Sequence, residues 1–345
     1  MIPRKKATIT NLSHRVAKLL LAVACAAQAV VPETARACES CAVFSATSLR
    51  EGKENSWSVS VSEQYTDYQL ASAGVSNESL RDGEILKRYS TTQLDLSYDI
   101  THALGAQLSL PFITREFDTF KAFRREGDSE SGIGDASLLV DVSPFSERQI
   151  DYAVHTSVFA GVKFPTGDTG SLEDQIDSGA EASGERLGVK HHQSSGIPGL
   201  QGQVLSLGTG SWDTFYGFGA LGRWKRSLFI VTGEYTLRTE GDFDYRFADD
   251  FLWSAGPGYY LLLEDDLTIA LQALFSGEHK GKDVHDGVKV SGTAIEHIYA
   301  GPSLIVSSGS NLAGEIAFQL PIYTDDPGSI VVPEFRIRAA LNYLF

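Results

Sequence analysis

The sequence has no long apolar run after residue 37, few cysteines and a single methionine, Met1. No stretch there approaches the ~18 apolar residues that a membrane-spanning helix needs. The mean hydropathy of -0.10 is also too polar for a helical membrane protein. Basic residues are scarce, since 29 Lys and Arg face 44 Asp and Glu for a net charge of -15. Phosphate binding needs a basic surface, so we expect no nucleic-acid partner.

Glycine and aromatic residues are plentiful instead, with 33 glycines and an aromatic share of 10%. Such a composition favours β structure over helix. The clearest strand is the last one, 332–345, where every second residue from position 335 is apolar or aromatic. Most residues between them are polar, so the strand has one apolar and one polar face. The alternating positions are Phe335, Ile337, Ala339, Leu341, Tyr343 and Phe345.

This last strand resembles the carboxy-terminal strand of bacterial outer-membrane β-barrels. The resemblance implies that Leu341, Tyr343 and Phe345 form the signal that the barrel-assembly machinery reads. That machinery is therefore an expected partner, together with outer-membrane lipid and lipopolysaccharide.

Alternation and turn residues predict eleven further strands before the last one. We expect an all-β fold, a single transmembrane antiparallel up-and-down β-barrel over residues 57–345 with about twelve strands; ten and fourteen are the main alternatives. The predicted strands cover 57–70, 85–100, 105–119, 132–142, 150–164, 211–224, 227–239, 250–263, 267–277, 291–306, 312–323 and 332–345.

The connections between these strands alternate in length. Short turns follow the even-numbered strands, and longer polar loops follow the odd ones, including a charged loop at 120–131 and one of over forty residues from 165 to 210. Outer-membrane barrels have short periplasmic turns, longer outer loops and an even strand count. The strands are also ~11–16 residues long, which suits a tilted barrel wall better than a soluble sandwich. Both termini would then be periplasmic.

The amino terminus has the features of a cleaved signal peptide over residues 1–37. A basic region containing Arg4 and Lys18 precedes the apolar run 19–31, and Ala35-Arg36-Ala37 fits a small-x-small cleavage site. We expect the mature chain to begin at Cys38 with a periplasmic lead, 38–56. Lipid attachment at Cys25 or Cys38 is the alternative, although neither has a Leu three residues before it.

The lead contains two closely spaced thiols, Cys38 and Cys41. Such a pair can form a small disulfide, bind a metal together with further ligands, or take part in thiol–disulfide exchange. The oxidising periplasm favours the disulfide. The position of the pair suggests a contact with a periplasmic partner, and we expect no cofactor.

Alternation also divides the wall into a lipid face and a lumen face. A Lys or Arg directed at lipid would cost about 2–4 kcal/mol at mid-depth, so charged wall residues should point inward. Opposite charges there should pair, either around a polar solute-selecting channel or in a salt-bridged plug, and the sequence leaves both open. The predicted lumen-lining residues are Asp95, Asp141, His155, Lys163, Glu234, Glu315, Glu334, Arg336 and Arg338.

Catalysis and specific metal binding have weaker support. His155 and Ser157 share a strand face, but no recognisable motif or third partner accompanies them, so we expect no enzyme.

The long loop carries six acidic residues and His191-His192, which could capture a cation. Solvation, or divalent bridging to lipopolysaccharide, is the ordinary role of such a run. The acids are Asp168, Glu173, Asp174, Asp177, Glu181 and Glu185.

Three short glycine-rich motifs occur where predicted strands begin or end: 131–135 (SGIGD), 163–168 (KFPTGD) and 207–211 (LGTGS). Turn and strand-end geometry is sufficient to explain them. In this order they resemble the outer-membrane protein family named for the meta-cleavage pathway of phenol degradation, over roughly residues 57–345. The resemblance implies a barrel that moves or senses small, often aromatic, compounds.

We therefore expect a porin-like outer-membrane barrel that transports small solutes, some of them hydrophobic or aromatic. The alternative is a closed structural or partner-docking barrel whose Cys-bearing end makes the contact.

Overall fold

The computed structural model describes residues 54–70, 83–121, 124–172, 206–325 and 331–345. The predicted signal peptide, Cys25, Cys38 and Cys41 lie outside these residues. Sixteen strands are described: β1 (Ser56–Leu70), β2 (Gly83–Thr101), β3 (Leu104–Lys121), β4 (Arg124–Ile133), β5 (Ser137–Arg148), β6 (Tyr152–Lys163), β7 (Asp213–Trp224), β8 (Ser227–Leu237), β9 (Tyr245–Arg246), β10 (Asp250–Leu263), β11 (Leu267–Lys280), β12 (Val284–His285), β13 (Val288–Lys289), β14 (Ile295–Ser308), β15 (Leu312–Asp325) and β16 (Val331–Leu344).

The wall is a closed antiparallel barrel of twelve strands. Neighbouring strands follow chain order, and β1 pairs with both β2 and β16, which closes the ring. The wall consists of β1, β2, β3, β4 with β5, β6, β7, β8, β10, β11, β14, β15 and β16. The predicted fold class is confirmed, and the alternatives of ten or fourteen strands are wrong.

One wall strand is interrupted. Strand β5 pairs with the first part of β3, through Leu104↔Val142 to Ser109↔Ser137, whereas β4 pairs with its second part, from Phe112↔Ile133 to Lys121↔Arg124. The charged segment 120–131 was predicted as a loop, and most of it is strand. The alternation is missing because residues on this extension of the β3–β4 hairpin need not face lipid. The turn predicted at 143–149 is also too long, since β5 continues to Arg148.

The two faces of the wall carry opposite chemistry. On β16, Ile337, Leu341 and Tyr343 are exposed, whereas Arg336 and Arg338 are buried. The same alternation occurs along β15 and β11, so apolar side chains cover the outside and polar ones fill the inside. A soluble protein would not expose such an apolar wall, but lipid requires it.

Aromatic residues mark both edges of this apolar wall. At the edge formed by the short turns, Trp57 contacts Tyr98 with ring centroids 4.7 Å apart, and Tyr152 stacks on Trp224 at 6.4 Å. At the opposite edge, Phe164 and Trp212 make an edge-to-face contact. Aromatic girdles of this kind lie at the two lipid–water interfaces of membrane barrels.

The longer connections include ordered structure at one end of the barrel, which we call the loop end. A second sheet of order β13-β12-β9 forms there from the connections 238–249 and 281–294, beside a short 3-10 turn at Asp242–Asp244. The described residues contain no helix that is long and apolar enough to span a membrane. The other end, which we call the turn end, holds the short turns. The start of β1 and the end of β16 also meet there, where Phe345 N donates a hydrogen bond to Trp57 O.

Candidate functional site

The interior of the wall holds a pocket among polar side chains, which we call the central pocket. It is partly enclosed by the wall and partly open to solvent. Strand alternation places polar side chains from five wall strands on this inner face. The pocket is lined by Gln64, Thr232, Leu252, Trp253, Ser254, Ser276, Gly277, Glu278, Arg336 and Arg338.

Arg336 is the most fully bonded cation of the central pocket. Its Nη2 donates to Glu278 Oε1 at 2.7 Å and to the Tyr299 hydroxyl at 3.0 Å, while its Nε donates to Thr66 Oγ1 at 3.2 Å. The guanidinium also lies 3.8 Å from the centre of the Tyr299 ring. The same Glu278 oxygen, Oε1, also lies 3.4 Å from His297 Nδ1. These contacts fix Arg336 against β1, β11 and β14.

Arg338 lies two residues further along β16 on the same face, and it is 7% exposed. No hydrogen bond or ion pair joins its guanidinium to any residue that the structure describes. The charged groups that act on it electrostatically are Glu315, Arg336 and Glu278. Glu278 pairs with Arg336, and Glu315 accepts a hydrogen bond from the Ser303 hydroxyl at 2.9 Å, so neither bonds directly to Arg338. Arg338 is therefore a buried cation that lacks a direct partner among the described residues.

Three uncharged side chains of the pocket lining, Thr232, Ser254 and Ser276, are hydrogen-bonded. Thr232 and Ser254 share a hydrogen bond of 2.7 Å across β8 and β10. Gln319 on β15 donates to Ser276 on β11 at 2.9 Å, past the intervening strand β14. These pairs satisfy polar groups that would otherwise be costly to bury.

A second charged group lies toward the loop end, and we call it the mouth network: Asp135, Lys163, Thr209, Asp213, Arg238 and Asp250. Lys163 Nζ lies 2.8 Å from Asp135 and 2.7 Å from Asp213. Arg238 lies 3.0 Å from Asp213 and 2.5 Å from Asp250. Each cation of this network thus contacts two carboxylates.

The three glycine-rich motifs of the sequence meet in the mouth network. Asp135, from the first motif, accepts hydrogen bonds from the backbone N–H groups of Gly167 at 3.0 Å and Thr209 at 2.9 Å, which belong to the other two. The backbones of Gly167 and Gly208 are in direct contact, and a Cβ at Gly167 would lie 2.7 Å from Gly208 Cα. The motifs therefore fasten both ends of the long loop to the wall.

Above the mouth network, the loops pack on one another around Asp283. Its carboxylate accepts hydrogen bonds from Lys280 Nζ at 2.9 Å, the Tyr245 hydroxyl at 2.8 Å and Ala248 N at 2.7 Å. Burial raises the pKa of this loop carboxyl, although the Lys280 ammonium opposes the shift. An apolar cluster adjoins it, formed by Leu172, Tyr245, Phe247 and Val290.

The interior near the turn end is apolar on one side. Leu228, Ile230 and Ala270 are buried there and form a cluster with Leu221, Tyr260 and Ile305. These side chains come from the inward positions of β7, β8, β10, β11 and β14. The cluster occupies space that would otherwise be open lumen, so we call it the inner plug.

The remaining predicted lumen residues fall in different places. Asp95, His155 and Glu234 are buried on inward positions, and Asp95 accepts a hydrogen bond from Gln93 at 2.8 Å. Asp141 is partly buried, and its carboxylate lies over Gly105, where a Cβ would be 2.5 Å from Oδ1. Glu334 is exposed and lies at a register shift between β1 and β16. Only Arg336 and Arg338 of the predicted set line the central pocket.

Several central residues were not predicted. The ninth strand was predicted to end at residue 277, one short of Glu278, whereas β11 continues to Lys280. Tyr299, Asp213 and Arg238 were within predicted strands or at their ends, and alternation could have assigned them inward. Asp135 was noted only as part of a turn motif.

Other predicted features lie outside the described residues. These are Cys38 and Cys41, the acids of the long loop from Glu173 to Glu185, and His191-His192; Asp168 is described and exposed. Within the described residues, no group of three or more His, Cys, Asp or Glu side chains is arranged to hold a metal ion. His155 is buried and Ser157 partly buried, on the same face of β6.

Comparison with known proteins yields structural likeness but no sequence family. No family model matches the chain, and no curated protein matches it. An outer membrane channel from Pseudomonas putida F1 has a TM-score of 0.55 at 13% identity, over 88% of this chain and 100% of that chain. The β domain of the Bordetella autotransporter BrkA has a TM-score of 0.39 at 8% identity, over 85% and 100%. LpxR from Salmonella typhimurium has 0.34 at 12% identity, over 84% and 100%.

The likeness to the Pseudomonas channel shows a shared barrel fold. The wall of this chain adds a chemical argument, because a closed barrel with an apolar outside, aromatic edges and a polar inside is suited to a lipid bilayer. The chain is a transmembrane β-barrel of the bacterial outer membrane.

Proposed function

We propose that this chain is a channel that passes small solutes across the outer membrane. The observation that supports it best is the central pocket, a polar space inside a closed wall, with Glu278, Arg336 and Arg338 at its surface. A barrel that served only as a scaffold would gain more stability from an apolar interior than from buried charges.

The proposed solutes are small and include hydrophobic or aromatic compounds. The resemblance of the three glycine-rich motifs to the family of the phenol meta-cleavage pathway supports this choice. The side chain of Leu252, inward on β10 and part of the pocket lining, also supports it, because it offers an apolar contact beside the polar groups. The Pseudomonas structure is described as an outer membrane channel, which agrees with a transport function.

A closed structural barrel is the second candidate, and the inner plug favours it. Leu228, Ile230 and Ala270 fill part of the interior near the turn end, and an ion would have to pass beside them. In that case the Cys-bearing amino terminus would serve as the contact with a periplasmic partner.

Conductance in a planar lipid bilayer tests the two candidates directly. The refolded barrel, verified by its heat-modifiable migration on gels, is added to the bilayer, and single-channel current is recorded in potassium chloride. Stable unitary steps are expected for a channel. If the folded protein gives no current, and liposomes that contain it take up no solute, the chain is a closed structural barrel and the channel proposal is wrong.

A further inference from the structure

We propose that the central pocket is a binding site for a small organic anion, whose carboxylate pairs with Arg338. This inference rests on the proposed channel function for its role in the cell, because it names the class of solute that the channel selects. The binding itself depends only on the folded barrel, so it can be measured separately from transport.

The first argument concerns charge. Arg338 is 7% exposed and has no hydrogen bond or ion pair to a described residue. A guanidinium has five N–H donors and stays protonated in proteins, so it cannot escape burial by losing its charge. A buried charge without a partner is costly, and buried charges are normally paired. An anion from solution would supply the missing partner.

The second argument is that the described carboxylates near Arg338, those of Glu278 and Glu315, make no direct bond to it. Glu278 accepts from Arg336 at 2.7 Å and lies 3.4 Å from His297. Glu315 accepts from Ser303 and is not part of the pocket lining. Among the residues that line the pocket there are two guanidinium groups and one carboxylate, so its surface has an excess of one positive charge.

The third argument concerns the shape of the donor set. Gln64 lies directly opposite Arg338 in the β1–β16 register, and both line the pocket. The planar fork of a guanidinium matches the two oxygens of a carboxylate, and an adjacent amide N–H can supply a further bond. A carboxylate therefore fits these residues better than a spherical anion does.

The fourth argument concerns size and the uncharged part of the ligand. The pocket lies between side chains of neighbouring strands inside the wall, so it suits a small molecule rather than an oligomer. Leu252 contributes the apolar surface, and Thr232, Ser254 and Ser276 contribute hydroxyls. A carboxylate attached to a single ring has the required combination of charge and apolar surface.

Titration calorimetry with sodium benzoate, on the refolded barrel in detergent, tests this proposal. One benzoate should bind per barrel, and Arg338→Gln should weaken the binding at least tenfold. Benzyl alcohol has the same ring without the charge, so its binding should not change tenfold in that variant. Arg226→Gln is the matched control, because it removes an exposed arginine at the β7–β8 turn and should bind benzoate like the wild type.

Arg338→Lys is a second variant in case the glutamine variant does not fold. It keeps the charge but loses the bidentate fork, so benzoate should bind several-fold more weakly than to the wild type. Equal binding to the wild type and to a folded Arg338 variant would overturn the proposal. Absence of benzoate binding to the wild type would overturn it as well.

Conductance measurements on the same samples separate this proposal from the channel function. Benzoate binding without any ion current or flux would support the anion site and contradict the channel. Ion current without benzoate binding would do the reverse. If both hold, benzoate should reduce the current through the wild type at concentrations near its dissociation constant, and it should not do so in Arg338→Gln.

Discussion

The mouth network and the central pocket are built from the same residue types, but they are completed in different ways. In the mouth network, Lys163 and Arg238 each contact two carboxylates, and Asp135 also accepts from two backbone N–H groups. In the central pocket, Arg336 has three polar partners and Arg338 has none among the described residues.

This difference indicates separate roles for two groups that burial and charge alone would not distinguish. A buried charge network whose members are bonded within the chain holds the structure in one arrangement. A buried charge that the described residues leave without a direct partner is a place where a ligand can supply the opposite charge. The first group therefore fastens the loop end, and the second is the candidate for solute recognition.

The largest effect is expected in the mouth network from Asp213→Ala. This change removes the carboxylate that contacts both Lys163 and Arg238, and it leaves two buried cations with fewer partners. Breaking a buried ionic group in this way should lower the free energy of unfolding by about 4 kcal/mol. Urea titration of the barrel in lipid vesicles, followed by tryptophan fluorescence, measures the loss.

Asp265→Ala is the control for that experiment, because Asp265 is exposed in the turn between β10 and β11. It should change the free energy of unfolding by less than about 0.5 kcal/mol. If Asp213→Ala lowered the free energy of unfolding no more than this control does, the mouth network would not stabilise the loop end.

In the central pocket, Arg336→Gln should be the most destabilising change. It removes the main partner of Glu278 together with the contact to the Tyr299 ring. We expect a loss of about 3 kcal/mol in the same urea titration, because the Glu278 carboxylate remains buried without its main ion pair, with His297 Nδ1 at 3.4 Å. A loss below about 1 kcal/mol would mean that His297 is a sufficient partner for Glu278.

The wall could be predicted from sequence because its determinants are local. Lipid on one side and a polar lumen on the other impose period-two alternation, and short turns mark the strand ends. The predicted strand 250–263 therefore coincides with β10. Prediction failed at the β3–β4 hairpin, where the charged segment from Arg124 has no apolar alternation but still completes the backbone ladder with β3.

The central pocket and the mouth network could not be predicted in the same way. Arg336 bonds to Glu278, 58 residues away, and to Thr66, 270 residues away. Such contacts depend on which strands adjoin and on their register, and a shift of one residue would turn every side chain to the other face. Alternation could say that Arg336 and Arg338 point inward, but not that one is paired and the other is not.

The inner plug offers a test of how open the interior is. Leu228→Ala removes a buried side chain from that cluster, which should cost about 2 kcal/mol and widen the route. Single-channel conductance in planar bilayers should rise. Phe229→Ala, at the next position but on the exposed outer face, should leave the conductance unchanged. Equal conductance in both variants would show that the plug does not restrict the route.

The smallest effect on stability is expected from Arg338→Gln. Arg336 and Arg338 are both buried on one face of β16, two residues apart. The same substitution at the two positions therefore compares two sites of similar burial. Because Arg338 has no direct bond to lose among the described residues, its removal should change the free energy of unfolding by at most about 1 kcal/mol, toward greater stability. Urea titration beside Arg336→Gln, without added anion, measures the contrast. A loss as large as that of Arg336→Gln would mean that Arg338 is held by the protein itself, and the central pocket would then be a second fastening like the mouth network.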